Sequence, residues 1–357
     1  MLRKNAPIPS DEKAMAWLRR ASKSMNDRLV QPPRGQRSPL PVRDGLTATR
    51  ARLPEDSPAI PAGEFVGHLI ATQRHRHPLD DDAALRGRFD AGQVVDRRGR
   101  PFAFGSPVAP GEDVFFYRMP APETPVPYDI GILHRDEDLL VVDKPPFLAT
   151  MPRGRHITET LTVRLRRALD APELVPAHRL DRVTSGVLLC TLRREVRGAY
   201  QRLFAERLVE KTYEAIAEHA PSIEPGTLWR SRMEKVPGDI QGSIVAGEPN
   251  ATTLLLDVLP LTPAEQESLE AVHGPLPPQA RYVLRPETGR THQLRLHMWA
   301  AGVPILGDNI YPRIHTEEEE DMTRPLHLVS TGLAFDDPFT GERRRFTVPR
   351  RLFHGGP

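Results

Sequence analysis

The sequence predicts an α+β fold with a mixed, largely antiparallel central sheet and flanking helices, preceded by a smaller α+β domain. Short apolar runs typical of strands alternate along the chain with stretches of helical periodicity. No glycine-rich phosphate loop opens a predicted helix, which argues against a dinucleotide-binding fold. The 357 residues exceed one typical domain, so a large core with a smaller companion domain is expected.

Composition shifts predict four segments. Residues 1–42 form a basic tail that we expect to be partly disordered, and residues 43–118 form a small domain. Residues 119–127 carry proline at nearly every other position and predict a stiff linker. The large domain then spans residues 128–357.

Hydrophobic patterns place the elements within these segments. The tail holds a possible short helix over 10–25, and the small domain is predicted to contain a helix over 80–88 and strands around 93–96 and 113–118. The large domain is predicted to contain strands over 138–143, 186–192, 211–217 and 281–285, and helices over 158–169 and 195–208. Segments 231–253 and 261–280 are polar and interrupted by glycine or proline, so we expect both to be peripheral.

Composition also limits the compartment and the class of site. Cys190 is the one cysteine, which rules out an internal disulfide and suits a buried structural thiol in a reducing compartment. No apolar run approaches the roughly 18 to 20 residues needed to span a bilayer. We therefore expect a soluble, cytoplasmic protein. We also expect a monomer, and we expect the acidic run 317–321 to be a solvated loop.

The run His-Arg-Leu-Asp-Arg-Val-Thr-Ser-Gly at 178–186 is the densest chemical pattern. Asp181 lies between Arg179 and Arg182, and a buried apolar strand follows at once. Guanidinium groups hold and orient a carboxylate, so Asp181 is either a nucleophile or anchoring anion, or one half of an ordinary ion pair. Charge spacing alone leaves both interpretations open.

Two further patterns have alternative interpretations. Lys211 and Tyr213 share one face of a predicted strand, where Tyr213 either stacks on a nucleobase or is an ordinary half-buried tyrosine. The Lys-Pro-Pro corner at 144–146 either lines a basic groove together with Arg153 or is simply a turn.

Hydrolase and metal chemistry are disfavoured by spacing. A serine nucleophile elbow needs glycine two residues before the serine, and Val183 occupies that position before Ser185. Ser185 is instead expected to bond backbone. His292 and His297 are five residues apart and do not match the HExxH spacing, so no metal site is predicted.

Four motifs together carry a resemblance to a known family. They are His178-Arg179-Leu180-Asp181 with Thr184-Ser185-Gly186, Lys211-Thr212-Tyr213, the run Thr-Gly-Arg-Thr-His-Gln-Leu-Arg at 288–295, and Pro-Ile-Leu-Gly-Asp at 304–308. In this order and spacing the chain resembles the RluA-type pseudouridine synthases, which isomerise selected uridines in structured RNA. The resemblance covers roughly residues 128–357.

The resemblance implies a role for each catalytic residue. Asp181 would be the catalytic aspartate, attacking either the uracil ring or the ribose anomeric carbon. Tyr213 would stack on the uracil and assist proton removal, while Arg295 would pair with Asp181. The reaction adds and removes nothing, so no cofactor and no metal are expected.

The same resemblance implies RNA as the partner, either ribosomal or transfer RNA. Arg179 would fill the space left by an extruded base. The predicted RNA-binding residues are Arg179, Arg182, Lys144, Arg153, Lys211, Arg290 and His292. The chain departs from the family at Pro146-Phe147, where glycine is usual. Segment 43–118 is faintly similar to a small RNA-binding domain, and a non-catalytic RNA-binding or RNA-chaperone protein is the alternative.

Overall fold

The computed structural model describes residues 38–348, and the chain divides into two compact units. One unit runs to Glu123 and includes the short segment Arg153–Thr158, and the other comprises Thr124–Pro152 and the chain from Glu159 onward. The helix predicted over 10–25 lies outside the described residues. Within 38–348, no helix combines the length and the apolar character needed to cross a membrane.

The N-terminal unit is a small α+β assembly. Its strands are β1 (Thr49–Arg52), β2 (Ile60–Pro61), β3 (Val94–Val95), β4 (Pro107–Val108) and β5 (Asp113–Phe116), and its helices are α1 (Ala62–Ala71) and α2 (Asp82–Asp90). Strands β1, β5 and β3 form an antiparallel sheet, and β2 pairs with β4. The predicted helix and the two predicted strands of this segment are confirmed, with α2 capped by the Asp81 side chain.

The second unit contains the remaining elements. Its strands are β6 (Gly131–Arg135), β7 (Leu139–Lys144), β8 (Val175–Pro176), β9 (Ser185–Thr191), β10 (Glu210–Glu218), β11 (Leu228–Glu234), β12 (Ser243–Val245), β13 (Ala251–Pro260), β14 (Gln279–Pro286), β15 (Leu328–Asp336) and β16 (Arg343–Thr347). Its helices are α3 (Leu161–Leu169), α4 (Arg194–Ala205), α5 (Pro263–His273) and α6 (Gln293–Ala300).

The strands of this unit form one mixed, largely antiparallel sheet, as predicted. Their order is β12-β11-β13-β14-β10-β15-β9-β7-β6, with β16 beside β15 and β8 beside β9. Among the named strands of residues 38–348, the one parallel pairing joins β9 to β15, through Val329 opposite Ser185 and Ser330 opposite Gly186. This pairing carries the chain after Asp181 into the middle of the sheet.

Alternation along the central strands builds a core on each face of the sheet. Leu140 and Val142 of β7 enter one cluster, and their neighbours Leu139 and Val141 enter the other. Leucines of α3 cover the first cluster, and residues of α4 cover the second. Successive side chains of a strand point to opposite faces, so β7 is apolar on both. Cys190 is buried, and burial raises the pKa of its thiol.

The two segments expected to be peripheral carry regular structure. Segment 231–253 supplies the end of β11, all of β12 and the start of β13, and so builds the edge of the sheet. Segment 261–280 contains α5, which begins at a capping box formed by Thr262 and Glu265. Its glycines and prolines lie mostly in the turns and helix ends, which is why the sequence pattern resembles irregular loops.

Candidate active site

Asp181 lies in a turn just before β9. The turn closes with a hydrogen bond from the backbone amide of Thr184 to the carbonyl of Asp181 at 3.1 Å. Leu180 and Val183 are buried on either side, while Asp181 itself is half-buried. Thr150 donates its hydroxyl to the Leu180 carbonyl at 2.8 Å. Buried neighbours therefore anchor the turn and leave the Asp181 carboxylate accessible.

Lys144 fixes the other side of this turn from within the core. Its side chain is fully buried, and Nζ donates to the carbonyls of Pro145 and Leu148 at 2.8 Å and of Arg182 at 3.1 Å. Burial lowers the pKa of Lys144 to about 7, and the charge of Asp181 opposes that shift. The prediction that Lys144 binds RNA is wrong in this structure, because no surface of the ammonium group is exposed.

Phe147 belongs to the Pro146-Phe147 pair, at the corner where the resemblance leads us to expect glycine. Its φ is +62°, in the left-handed region, and its side chain is buried. The ring stacks with Tyr128 at 6.4 Å between centroids, and the Arg182 guanidinium lies 5.8 Å from its centroid. The turn thus keeps a glycine-like backbone, and aromatic packing offsets the unfavourable conformation of a β-carbon residue.

Gly186 brings the Asp181 turn close to β15. Its φ is +106°, and a β-carbon there would lie 2.2 Å from the Ser330 carbonyl oxygen. Ser330 in turn lies opposite Tyr213 on β10. Ser185 is buried, and its hydroxyl donates to the Leu328 carbonyl at 3.5 Å, as expected for a residue that bonds backbone. Glycine at 186 therefore permits the backbone approach that links two of the sequence motifs.

Tyr213 belongs to the same site as Asp181. Burial raises the pKa of Tyr213 to about 12; the nearby side chain of Ser330 opposes the shift, and the negative charge of Asp181 adds to it. The phenol is therefore protonated at neutral pH. In this state the hydroxyl can donate a hydrogen bond. It can act as a proton acceptor only after it has lost its own proton.

Arg295 has a different ion-pair partner from the one expected. Its Nε lies 2.7 Å from Oδ2 of Asp308, its Nη2 bonds Oδ1, and both side chains are about 1% exposed. The prediction that Arg295 pairs directly with Asp181 is therefore wrong. Asp308 reaches the guanidinium because its Oδ1 also accepts the backbone amides of Ile310 and Tyr311, which lock the carboxylate beside α6.

The run at 288–295 is held in place by its own buried polar residues. Gln293 accepts the Thr288 hydroxyl at 2.6 Å and donates to the Thr252 carbonyl at 2.9 Å. His292 begins α6 with a left-handed φ of +56°, and its Nδ1 lies 3.0 Å from the Tyr311 hydroxyl. Burial lowers the pKa of His292, and Asp181 opposes the shift. The imidazole is therefore neutral at pH 7.

Electrostatic coupling shows that separate motifs meet around Asp181. The charge of Asp181 affects the pKa of five titratable side chains from four segments of the chain: Lys144, Tyr213, His292, Arg295 and Tyr311. For Arg295, burial acts to lower the pKa, but the bonds and charge of Asp308, together with Asp181, raise it. The Asp181 carboxylate is thus half-buried and near enough to a phenol, an imidazole and a permanent cation for its charge to act on their pKa values.

Two predicted RNA-binding arginines flank Asp181 with different surroundings. The side chain of Arg179 is exposed and forms no hydrogen bond or ion pair within the described part of the chain. Arg182 forms an ion pair with Glu320 and donates to the Phe147 carbonyl at 3.4 Å. The acidic run is thus not fully solvated, since the Glu320 side chain is only 12% exposed. Arg182 is unavailable to RNA while this pair stands.

The other predicted RNA-binding residues are placed as follows. Lys211 is half-buried, with Nζ 3.9 Å from the position a β-carbon of Gly289 would take, so the Lys-Thr-Tyr motif meets the 288–295 run. Arg290 is exposed and donates through Nε to the Asn250 carbonyl at 3.1 Å. Arg153 is exposed and belongs to the N-terminal unit.

Known proteins resemble this chain over the same region. A family model described as RNA pseudouridylate synthase matches residues 138–300. An uncharacterized RNA pseudouridine synthase of Synechocystis sp. is 30% identical over 67% of this chain and 77% of its own length. The dual-specificity RNA pseudouridine synthase RluA of Escherichia coli is 33% identical over 61% of this chain and 92% of its own length. The solved structure of human RNA Pseudouridylate Synthase Domain Containing 1 is 26% identical, covers 64% of this chain and 86% of its own, and has a TM-score of 0.49.

These similarities and the clustered motifs define a class of enzyme, the RNA-modifying isomerases. The chain belongs to the RluA-type RNA pseudouridine synthases. Its α+β fold with a mixed sheet and its substrate class, RNA, agree with that membership.

Proposed function

We propose that the enzyme isomerises uridines in structured ribosomal or transfer RNA by extruding the base and attacking with Asp181. The proposal is supported mainly by one observation: the charge of Asp181 acts on titratable residues that four separate segments supply. A half-buried carboxylate without an ion pair in the described chain suits covalent catalysis. Pure RNA binding has no need of such a group.

In this mechanism Asp181 adds to the uracil ring or to the ribose anomeric carbon, and the glycosidic carbon–nitrogen bond breaks. The uracil turns and its carbon 5 bonds to the ribose anomeric carbon, and the bond to Asp181 breaks again, which restores the free carboxylate. Carbon 5 then loses its proton while the former glycosidic nitrogen gains one. Tyr213 stacks on the ring and helps move the proton. The buried cation of Arg295 stabilises negative charge near Asp181. The isomerisation is balanced without a cofactor.

Base extrusion costs a few kcal/mol of lost stacking. The side chain of Arg179 is exposed and has no hydrogen-bond or ion-pair partner in the described chain, so it is suited to fill the vacated space. Arg290, Lys211 and His292 belong to the motifs around Asp181 and would contact the RNA backbone or bases. The N-terminal unit, with Arg153, would add a further RNA contact. We propose that the enzyme acts as a cytoplasmic monomer.

Asp181→Asn tests the proposal. Tritium release from RNA labelled at carbon 5 of uridine should be abolished, while RNA affinity should stay within about twofold. Asp170→Asn is the matched control, because Asp170 is exposed with a left-handed φ of +46° that asparagine tolerates. Turnover of Asp181→Asn near the wild-type rate would remove Asp181 from the mechanism. Absence of turnover by the wild-type enzyme on ribosomal and transfer RNA would favour a non-catalytic RNA-binding protein.

A further inference from the structure

Trp299 presents an exposed indole beside the active site. It is 40% exposed, which is high for so large an apolar side chain. It lies on α6 four residues after Arg295, so the two side chains share a face of the helix. The exposed ring is therefore one helical turn from the buried cation of the site.

Tyr311 connects Trp299 to His292 and Arg295 of the site. The Tyr311 ring centroid lies 5.5 Å from the Trp299 ring, at 31° between planes, and 5.7 Å from the His292 ring. The Arg295 guanidinium lies 5.5 Å from the same Tyr311 centroid. Tyr311 is 1% exposed, so its ring is packed between the residues of the active site and Trp299, and Trp299 is the member of this group that reaches solvent.

We infer that Trp299 is a stacking site for an unpaired nucleobase next to the target uridine. The inference rests on the proposed function, because extruding one base also deprives its neighbour of a stacking partner. An aromatic platform can restore about 1–3 kcal/mol per base, without requiring a particular base. Tyr311 contacts Trp299 on one hand and His292 and Arg295 on the other, so the RNA strand that delivers the uridine is the ligand that the exposed indole would meet.

Three variants separate stacking from packing. Trp299→Phe keeps a ring, Trp299→Leu keeps apolar cover over Tyr311 without a ring, and Trp299→Ala removes both. The probe is a synthetic stem-loop containing a uridine that the wild-type enzyme converts. Stacking predicts that Leu and Ala weaken RNA binding by roughly 5- to 150-fold, with a rise in KM and little change in kcat, while Phe retains most of the affinity. Equal affinities for Phe and Leu with equal thermal midpoints would overturn it.

Abasic substitutions in the stem-loop identify the base. Removing the base that stacks on Trp299 should weaken RNA binding by the wild-type enzyme. The same removal should weaken RNA binding by Trp299→Leu very little, and a double-mutant cycle measures this coupling. Additive losses at every position flanking the uridine would refute a stacking site. These readings are binding constants, so they are independent of turnover. Failure of the wild-type enzyme to form pseudouridine would count against the proposed function instead.

Discussion

Asp308 holds the guanidinium of Arg295 in a buried bidentate ion pair, with Nε 2.7 Å from Oδ2. Asp181 is left with no ion pair of its own among the described residues, although its charge reaches Arg295. The cation is thus held in position by the Asp308 carboxylate, while the Asp181 carboxylate is half-buried and unpaired among the described residues.

Asp308→Asn should destabilise the enzyme by about 3–5 kcal/mol, because it leaves the Arg295 charge buried without a counter-ion. Urea unfolding of the variant and the wild type measures the loss. Asp336→Asn is the control, since Asp336 pairs with Arg343 at an exposed site and should cost less than about 1 kcal/mol. Equal losses for the two variants would contradict a special role for the buried pair.

Tyr213→Phe should lower kcat by about 100-fold while leaving RNA affinity within about twofold. The ring remains available for stacking, and only the hydroxyl is lost; its pKa of about 12 keeps it protonated at neutral pH. Single-turnover rates and filter binding separate the two effects. Tyr282→Phe, which removes a buried hydroxyl bonded to the Glu218 carbonyl at 2.7 Å, should keep its kcat. An unchanged rate in Tyr213→Phe would exclude the hydroxyl from the mechanism.

Local sequence patterns were sufficient to predict the central strands and the residues of the Asp181 turn. The strand predicted over 186–192 is β9, and that predicted over 211–217 lies within β10. The β9 run is continuously apolar and the β10 run alternates with a period of two. Both patterns can be read from the sequence without tertiary information. The Asp181 turn comes directly before the β9 run, so its place at a strand entrance follows from sequence.

Other features depend on contacts distant in sequence. Helix α6 was not predicted, because most of its residues are buried and so it lacks one polar face, and it begins at a left-handed His292 without a capping side chain. The edge strand β12 and its neighbour β11 carry polar residues and border glycine-containing turns, which hides their alternation. The pair between Arg182 and Glu320 joins residues 138 apart, and no local pattern selects Glu320 from its acidic neighbours.

His178 should make stability depend on pH. Burial lowers its pKa to about 3, and its Nε2 accepts the Leu189 amide at 3.1 Å, so the folded state favours the neutral ring. The unfolded chain binds the proton near pH 6.5, so this contribution is complete above pH 6.5 and is lost as pH falls below it. At pH 5 the loss is roughly 1–2 kcal/mol.

His178→Gln should reduce that loss, because its amide oxygen can accept the Leu189 amide and does not titrate. Urea unfolding at pH 7 and pH 5 gives the pH dependence of each protein. Other buried histidines, including His297 with a pKa lowered to about 4, also gain a proton on unfolding, so the stability of both proteins still falls between pH 7 and pH 5. An identical slope in wild type and variant would show that His178 is protonated equally in both states.

Glu320→Gln should tighten RNA binding. Glu320 pairs with Arg182 beside the Asp181 turn, and the neutral variant would release a guanidinium that can neutralise a phosphate. The slope of the logarithm of RNA affinity against the logarithm of salt concentration should become steeper by about one released counterion. Glu318→Gln is the matched control, because it removes the same charge from the same acidic run at a position without a salt bridge to Arg182. Equal tightening by both variants would mean that the run acts through its overall charge, whereas tightening confined to Glu320→Gln would show that the pair masks an RNA contact.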